Sequence, residues 1–302
     1  MANLNVAVIG RKGYGREIGK KGTESDVTFY NFKKGSATIT AIEPTSYPEK
    51  LSSLFYSISV SEVAIFVISS IDAYLGEAMI AVDTIGIENA IFVLENVSEE
   101  EIKPFLKEFR FKAHFVENPA MLREFLMEMV LKKEEREAEK GTVAIDHFFN
   151  VKGVGTVVLG TVIEGSIRKH DDLRLYPLNR VVHIRSIQKH DEDFDIANKG
   201  DRVGLALKNV SVDELRRGYI LSSEELDMEN ELKMEVAVNR YWKGEIKNGM
   251  VFHIGKWMQF IMTRYEDKFI LNRPIVFKKP SSFFIAHLDS KPPRIVGKGI
   301  VK

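Results

Sequence analysis

The stretch that most restricts what this chain can become runs Asn5-Val6-Ala7-Val8-Ile9-Gly10-Arg11-Lys12-Gly13-Tyr14-Gly15-Arg16-Glu17. An apolar strand leads straight into glycines, with Gly10 and Gly15 spaced like those of a loop whose backbone N–H groups cradle phosphate. A working loop of that kind then needs Lys for the terminal phosphates and Ser or Thr for Mg²⁺. Those two positions hold Arg16 and Glu17. A carboxylate there repels phosphate and cannot replace a hydroxyl without altering the charge around a metal. The backbone pattern of a nucleotide site is present, and its side-chain chemistry is not.

The residues up to 118 alternate strand and helix signals. Ala37–Ile42, Val63–Ile68, Ala90–Leu94 and Ala113–Val116 predict further strands, and Val63–Ile68 is continuously apolar, as a strand covered on both faces must be. Helical stretches lie between them, over Tyr47–Ser59, Tyr74–Ile85 and Glu99–Phe109. This alternation predicts an α/β domain with a parallel sheet over 1–118. Asn118-Pro119 then opens a helix, with Leu122, Phe125, Leu126, Met129 and Val130 at helical spacing. Its end, Lys132–Lys140, is dense in both charges and reads as a solvated linker, so 119–141 is helix and linker. From Thr142 the signals become short strands and glycine turns. Val154–Val162, Asp172–Tyr176, Val181–Gln188 and Asp201–Leu207 predict a closed antiparallel barrel over 142–226, and a second all-β unit covers 227–302. The fold class is α/β plus all-β.

Composition narrows the chemistry. Lys and Arg number 43 and so do Asp and Glu, so no global field favours nucleic acid, although local basic patches can. The absence of cysteine excludes disulfides, thiolate metal sites and cysteine nucleophiles. With the many Lys and Glu residues it points to a reducing cytoplasm and a thermophilic source. No apolar run approaches the ~18–20 residues of a membrane span, and no signal-peptide pattern opens the chain, so no membrane partner is expected. The seven His residues have no metal-ligand spacing.

A specific resemblance begins at Asp146-His147-Phe148-Phe149-Asn150-Val151-Lys152-Gly153-Val154-Gly155-Thr156-Val157-Val158-Leu159-Gly160-Thr161-Val162. With Arg185-Ser186-Ile187-Gln188, Gly200-Asp201-Arg202-Val203-Gly204 and Arg217-Gly218 it spans nearly all of Ile145–Leu221 and resembles the second domain of translational GTPases. Within that superfamily the chain is more similar to SelB, the selenocysteine-specific elongation factor, than to EF-Tu. The closing Pro292-Pro293-Arg294-Ile295-Val296-Gly297-Lys298-Gly299 resembles the end of SelB's third domain. SelB's fourth domain has no counterpart before Lys302 and is expected to be lacking.

The resemblance implies a degenerate P-loop GTPase-like first domain followed by two EF-Tu-type β-barrels. The family's Asp-x-Pro-Gly-His motif falls on Glu43-Pro44-Thr45-Ser46-Tyr47, without its Gly and its catalytic His. The guanine-reading Asn-Lys-x-Asp falls on Glu95-Asn96-Val97-Ser98, and the Ser-Ala-Lys element has no counterpart around Phe115–Asn118. Gly19–Gly22 leaves little room for the helix whose N-terminus holds the phosphates. Gly10, Gly15, Arg16, Glu17 and Glu43 thus form a degenerate nucleotide loop, with no catalytic residue and no bound GTP or Mg²⁺ expected. Glu43 reads as a strand-end carboxylate in solvent, Arg16 as an anion partner at best, and Tyr14 as a lid over the sheet edge.

In SelB-like proteins an Asp, an adjacent Arg or His, and a further Arg line the pocket for the aminoacyl end of the tRNA. Asp146, His147 and Arg202 stand at those positions. Cationic side chains there favour an ionised selenol; the alternative is an inherited ion pair at the surface. Arg185, Lys189 and His190 in the second domain, with Arg240, Trp242, Lys243, Arg264 and Arg273 in the third, are candidate RNA contacts. Trp257, Phe260, Phe283 and Phe284 read as core. The resemblance implies a pseudo-GTPase that binds tRNA or the ribosome through its barrels. Two alternatives stand beside it: a guanine-nucleotide-binding regulator or slow GTPase, and a protein-interaction module that sequesters a translation-factor partner or forms a homo-oligomer.

Overall fold

The computed structural model describes residues 2–133 and 138–302; the middle of the charged stretch predicted as linker, 134–137, lies outside them. The apolar run before the glycines forms β1 (Ala2–Gly10), which is buried from Asn3 to Ile9. After a single 3-10 turn, Tyr14–Glu17, follow β2 (Lys20–Glu24), β3 (Thr28–Lys34) and β4 (Ala37–Glu43). Helices and strands then alternate: α1 (Leu51–Ser59), β5 (Val63–Ile68), α2 (Ala73–Ile85), β6 (Asn89–Leu94), α3 (Glu99–Leu106), β7 (Lys112–Val116) and α4 (Pro119–Leu131). The sheet order is β2-β3-β4-β1-β5-β6-β7.

The expected parallel sheet is present, and two further strands extend it. β4, β1, β5, β6 and β7 run parallel, whereas β2 and β3 are antiparallel additions at one edge. Sequence reasoning missed both. β2 has no large apolar residue to signal it and is held by its ladder to β3, and its exposed lysines suit an edge that must not pair further. α1 also starts later than expected, at Leu51, because Pro48 lies within the stretch predicted as helix.

β1 is covered on both faces, which explains its unbroken apolar character. Ala7 and Ile9 pack with Leu54, Phe55 and Ile58 of α1, whereas Leu4, Val6 and Val8 pack with Leu122, Leu126 and Val130 of α4. Each of these Val, Leu, Ile and Phe side chains contributes roughly 1.5–3 kcal/mol of burial. The helix expected ahead of the linker is therefore part of the first domain's core. It is started by Asn118, whose side chain accepts from the N–H groups of Ala120 and Met121.

The second domain comprises β8 (Gly141–Val151), β9 (Gly155–Arg168), β10 (Asp172–Tyr176), β11 (Arg180–Lys189), β12 (Glu192–Phe194), β13 (Ile196–Asn198), β14 (Arg202–Lys208) and β15 (Ile220–Ser222). β10 pairs with both β15 and β11, closing a six-strand barrel β10-β15-β8-β9-β14-β11. The third domain comprises β16 (Asp227–Leu232), β17 (Glu235–Val238), β18 (Val251–Lys256), β19 (Gln259–Tyr265), β20 (Phe269–Phe277), β21 (Ser281–Ala286) and β22 (Ile295–Val301). Its sheet runs β16-β20-β19-β18-β21-β22-β17 and forms a half-barrel. Phe260, Phe283 and Phe284 are buried as expected, but Trp257 is only partly buried in the turn between β18 and β19.

The three domains share apolar surface. Val27, Phe29, Ile42 and Val60 of the first domain cluster with Ala144, Tyr176, Ile220 and Leu226 of the second and Met258 and Val276 of the third. Phe55 of α1 lies 5.3 Å from both Phe260 and Phe284. Among the described residues no helix is long and apolar enough to cross a membrane.

Candidate functional site

The glycine loop lies where β1 ends. Gly10 has φ +115°, and a Cβ there would come within 2.1 Å of the Val67 carbonyl oxygen, so no other residue fits. Gly13 (φ +82°) then leads into the four-residue 3-10 turn that stands in place of a helix. Because β4 pairs parallel to β1, its last residue, Glu43, reaches the same edge of the sheet as the loop. The Gly13 N–H donates to Glu43 Oε1 at 2.5 Å and the Gly15 N–H to Oε2 at 3.3 Å. Two amides of the glycine loop thus hold the chain's own carboxylate.

This corrects the solvent-exposed reading of Glu43, which is 4% exposed. Tyr30 of β3 covers the arrangement: a Cβ on Gly15 would meet its ring at 2.2 Å, so only glycine lets the ring close down. Burial, then the Glu43 charge, raise the Tyr30 phenol above its ordinary value. Tyr14 is not a lid but is buried beneath the loop at 2% exposure, with the Arg11 guanidinium 4.7 Å over its ring. Arg11 also pairs at 2.6 Å with Glu95, the residue at the guanine-reading position. Arg16 is exposed, and the backbone carbonyl of Glu17 accepts from Arg123 at 2.5 Å. Gly15 and Glu43 are thus brought together, with Gly10 against Val67 where the loop opens and Arg16 and Glu17 next in the chain. Tyr47, at the family's catalytic His position, places its hydroxyl 2.7 Å from the Tyr74 carbonyl and 3.1 Å from Glu77.

Asp146, His147 and Arg202 also meet. A bulge between Ile145 and His147 interrupts the β8–β9 register at Asp146. Arg202 grips Asp146 through both terminal nitrogens, one at 2.9 Å, and His147 Nδ1 lies 2.6 Å from Asp146 Oδ1. Burial pushes the Asp146 carboxyl up, but the Arg202 charge and the hydrogen bonds from His147 and Arg202 outweigh it and hold the group below its ordinary value. Phe29 of the first domain caps the trio, its ring 3.5 Å from the Arg202 guanidinium carbon and 6.2 Å, edge-on, from the His147 ring. Asp146 is 3% exposed, so the surface ion pair considered from sequence is instead a buried one at a domain interface. Nearby, Arg217 donates to Asp26 at 2.6 Å. Sequence reasoning missed Phe29, and the aromatic run Phe29-Tyr30-x-Phe32 was the available signal for its strand.

The candidate RNA contacts divide. Lys189 is buried, paired with Asp201 at 2.9 Å, and Trp242 is buried with its Nε1–H donating to Ser290. Both are core residues rather than surface contacts. Arg185, Lys243, Arg264 and Arg273 are exposed; Arg240 is exposed and paired with Glu108, and His190 is partly buried.

An α/β domain with a glycine loop at the end of its central strand, followed by a closed six-strand barrel and a half-barrel, defines the class: the architecture of the elongation-factor translational GTPases. Residues 155–222 match the family described as elongation factor Tu domain 2. The chain is 37% identical over 271 residues to an uncharacterized protein of Methanocaldococcus jannaschii, MJ0325, covering 88% of this chain and 87% of that one. It is 27% identical over 266 residues to the selenocysteine-specific elongation factor of the same organism, covering 79% of this chain but only 56% of that protein. Among solved structures, SelB from Methanococcus maripaludis in complex with the GTP analogue GPPNHP superposes with a TM-score of 0.84 at 21% identity, over 100% of this chain and 79% of that one. A bacterial selenocysteine-specific elongation factor gives 0.84 at 17% identity, over 100% and 58%. The chain belongs with MJ0325 to a family of SelB-like paralogues of the translational GTPases.

Proposed function

We propose that this chain is a SelB-like factor whose first domain is a scaffold no longer switched by GTP, and that it acts on tRNA or the ribosome through its barrels. The observation that carries the reading is Glu43, whose carboxylate accepts the Gly13 and Gly15 amides. A phosphate entering the loop would have to displace a buried anion from the same donors, and Arg16, at the position of the motif's Lys, is exposed. The Arg11–Glu95 pair spans the side where a guanine would lie. Phe29 fills the space over Asp146, His147 and Arg202, so RNA contacts fall to the exposed cations of the barrels, Arg185, Arg264 and Arg273 among them.

The test is calorimetric titration with GTP, GDP and a non-hydrolysable GTP analogue in Mg²⁺. The expected result is no binding heat and no thermal stabilisation. Micromolar binding would overturn the reading and favour the nucleotide-regulated alternative. For the RNA part, retention of tRNA on a gel should weaken as salt rises; no retention at low salt would leave the protein-interaction alternative.

A further inference from the structure

Away from the loop and from the Asp146 trio, two charged residues of different domains meet. Glu77 of α2 is fully buried, at 0% exposure, and the side chain of Arg294, immediately before β22, is 12% exposed. Arg294 Nη2 lies 2.6 Å from Glu77 Oε1, while its Nε and its own backbone N–H donate to Oε2 at 3.0 and 2.7 Å. Nη2 also donates to the Pro48 carbonyl at 3.0 Å. Tyr47 completes the set, its hydroxyl 3.1 Å from Glu77 Oε1. One carboxylate of the first domain therefore gathers a guanidinium and a backbone amide of the third, together with the residue standing at the family's catalytic His position. Burial works against the guanidinium's charge, but the Glu77 carboxylate outweighs it and keeps Arg294 above its ordinary value.

The surroundings make this contact all-or-none. α2 lies against β22, and Gly255 touches the Phe55 ring so closely that a Cβ there would be 2.4 Å away. If the third domain moved off, Glu77 would keep only the neutral Tyr47 hydroxyl while still held within α2. A buried charge left in that state is strongly unfavourable, which is why such pairs fix one arrangement rather than add net adhesion. On the other flank Asp26–Arg217 at 2.6 Å, and Asn3 and Asn5 donating to Asp201 and the Gly200 carbonyl, fasten the first domain to the second.

We propose that Glu77 and Arg294 form a latch that holds the first domain against the third in one fixed arrangement, with Tyr47 tying the loop after β4 into it. The relative placement of the domains is then set by the chain itself and needs no ligand.

The chain has no cysteine, so spin labels can be placed cleanly at Lys107→Cys in the first domain and Asn272→Cys in β20, both exposed. Pulsed electron–electron resonance should give a single narrow distance for the otherwise unaltered chain. Glu77→Gln, which keeps the volume and removes the charge, should add a second, displaced population, and Arg294→Lys, which keeps the charge but loses the fork, a smaller one. Asp83→Asn, breaking an exposed pair on the same helix, should leave the distance narrow. A thermal melt of each variant confirms that it is folded. Two distances in the unaltered chain, or a folded Glu77→Gln variant with an unchanged narrow distance, would overturn the latch. The readout uses no nucleotide, so its failure leaves the nucleotide reading intact, and nucleotide binding would leave the latch intact.

Discussion

Glu43 Oε1 lies 2.5 Å from the backbone nitrogen of Gly13: the last residue of β4 satisfies the donors of the glycine loop that follows β1. Two of the loop's amide donors, those of Gly13 and Gly15, are thereby satisfied within the chain.

Removing that carboxylate should both weaken the fold and open the loop. Hydrogen bonds to a charged group contribute about 1.5–3 kcal/mol each, so Glu43→Ala should lose roughly 2 kcal/mol or more in urea unfolding. The freed amides should then take inorganic phosphate or sulfate, seen as a rise in Tm with added anion that the unaltered chain does not show.

Phe29 caps the Asp146–His147–Arg202 trio, and truncating it empties the domain interface. Phe29→Ala should cost about 3–5 kcal/mol, as for other buried phenylalanines. In the folded variant His147 should react faster with diethyl pyrocarbonate, because the ring that covers it is gone. An unchanged rate would mean that Phe29 does not control access to the trio.

Asp146 gives the protein an acid limb. Its folded pKa is depressed, so the unfolded chain takes up this proton first as pH falls; the stability it supplies is complete above the unfolded value of about 3.9 and is lost as pH falls through the folded value. Asp26 is likewise held low, burial opposing and Arg217 prevailing, and acts in the same window. Asp146→Asn should flatten the fall in stability below about pH 4. Arg202→Met, which leaves the buried carboxylate unpaired, should lose about 3–5 kcal/mol at neutral pH.

Charge reversal separates surface cations from core ones. Arg185→Glu and Arg273→Glu should each weaken tRNA retention and lower the salt slope by about one. Trp242→Phe, which loses the hydrogen bond to Ser290 and part of the indole's packing within the core, should leave retention unchanged.

Much of this protein was determined by local sequence. The apolar runs of β1, β5 and β6, the Asn118-Pro119 cap of α4 and the glycine turns of the second domain were legible because each follows from burial on both faces, from capping or from φ > 0 at a turn. Asp146, His147 and Arg202 were singled out through resemblance, by the order and spacing of their motifs along the chain. What sequence could not give was which groups satisfy one another across the fold. Glu43 fills the loop only because β4 lies parallel beside β1; Phe29 reaches Arg202 only because β3 is added antiparallel beside β4; Lys189 and Trp242 are core because their partners, Asp201 and Ser290, come from other segments. An isolated charged or aromatic residue has the same local signature whether it faces water or a buried partner, and only the tertiary structure supplies the partner that decides between them.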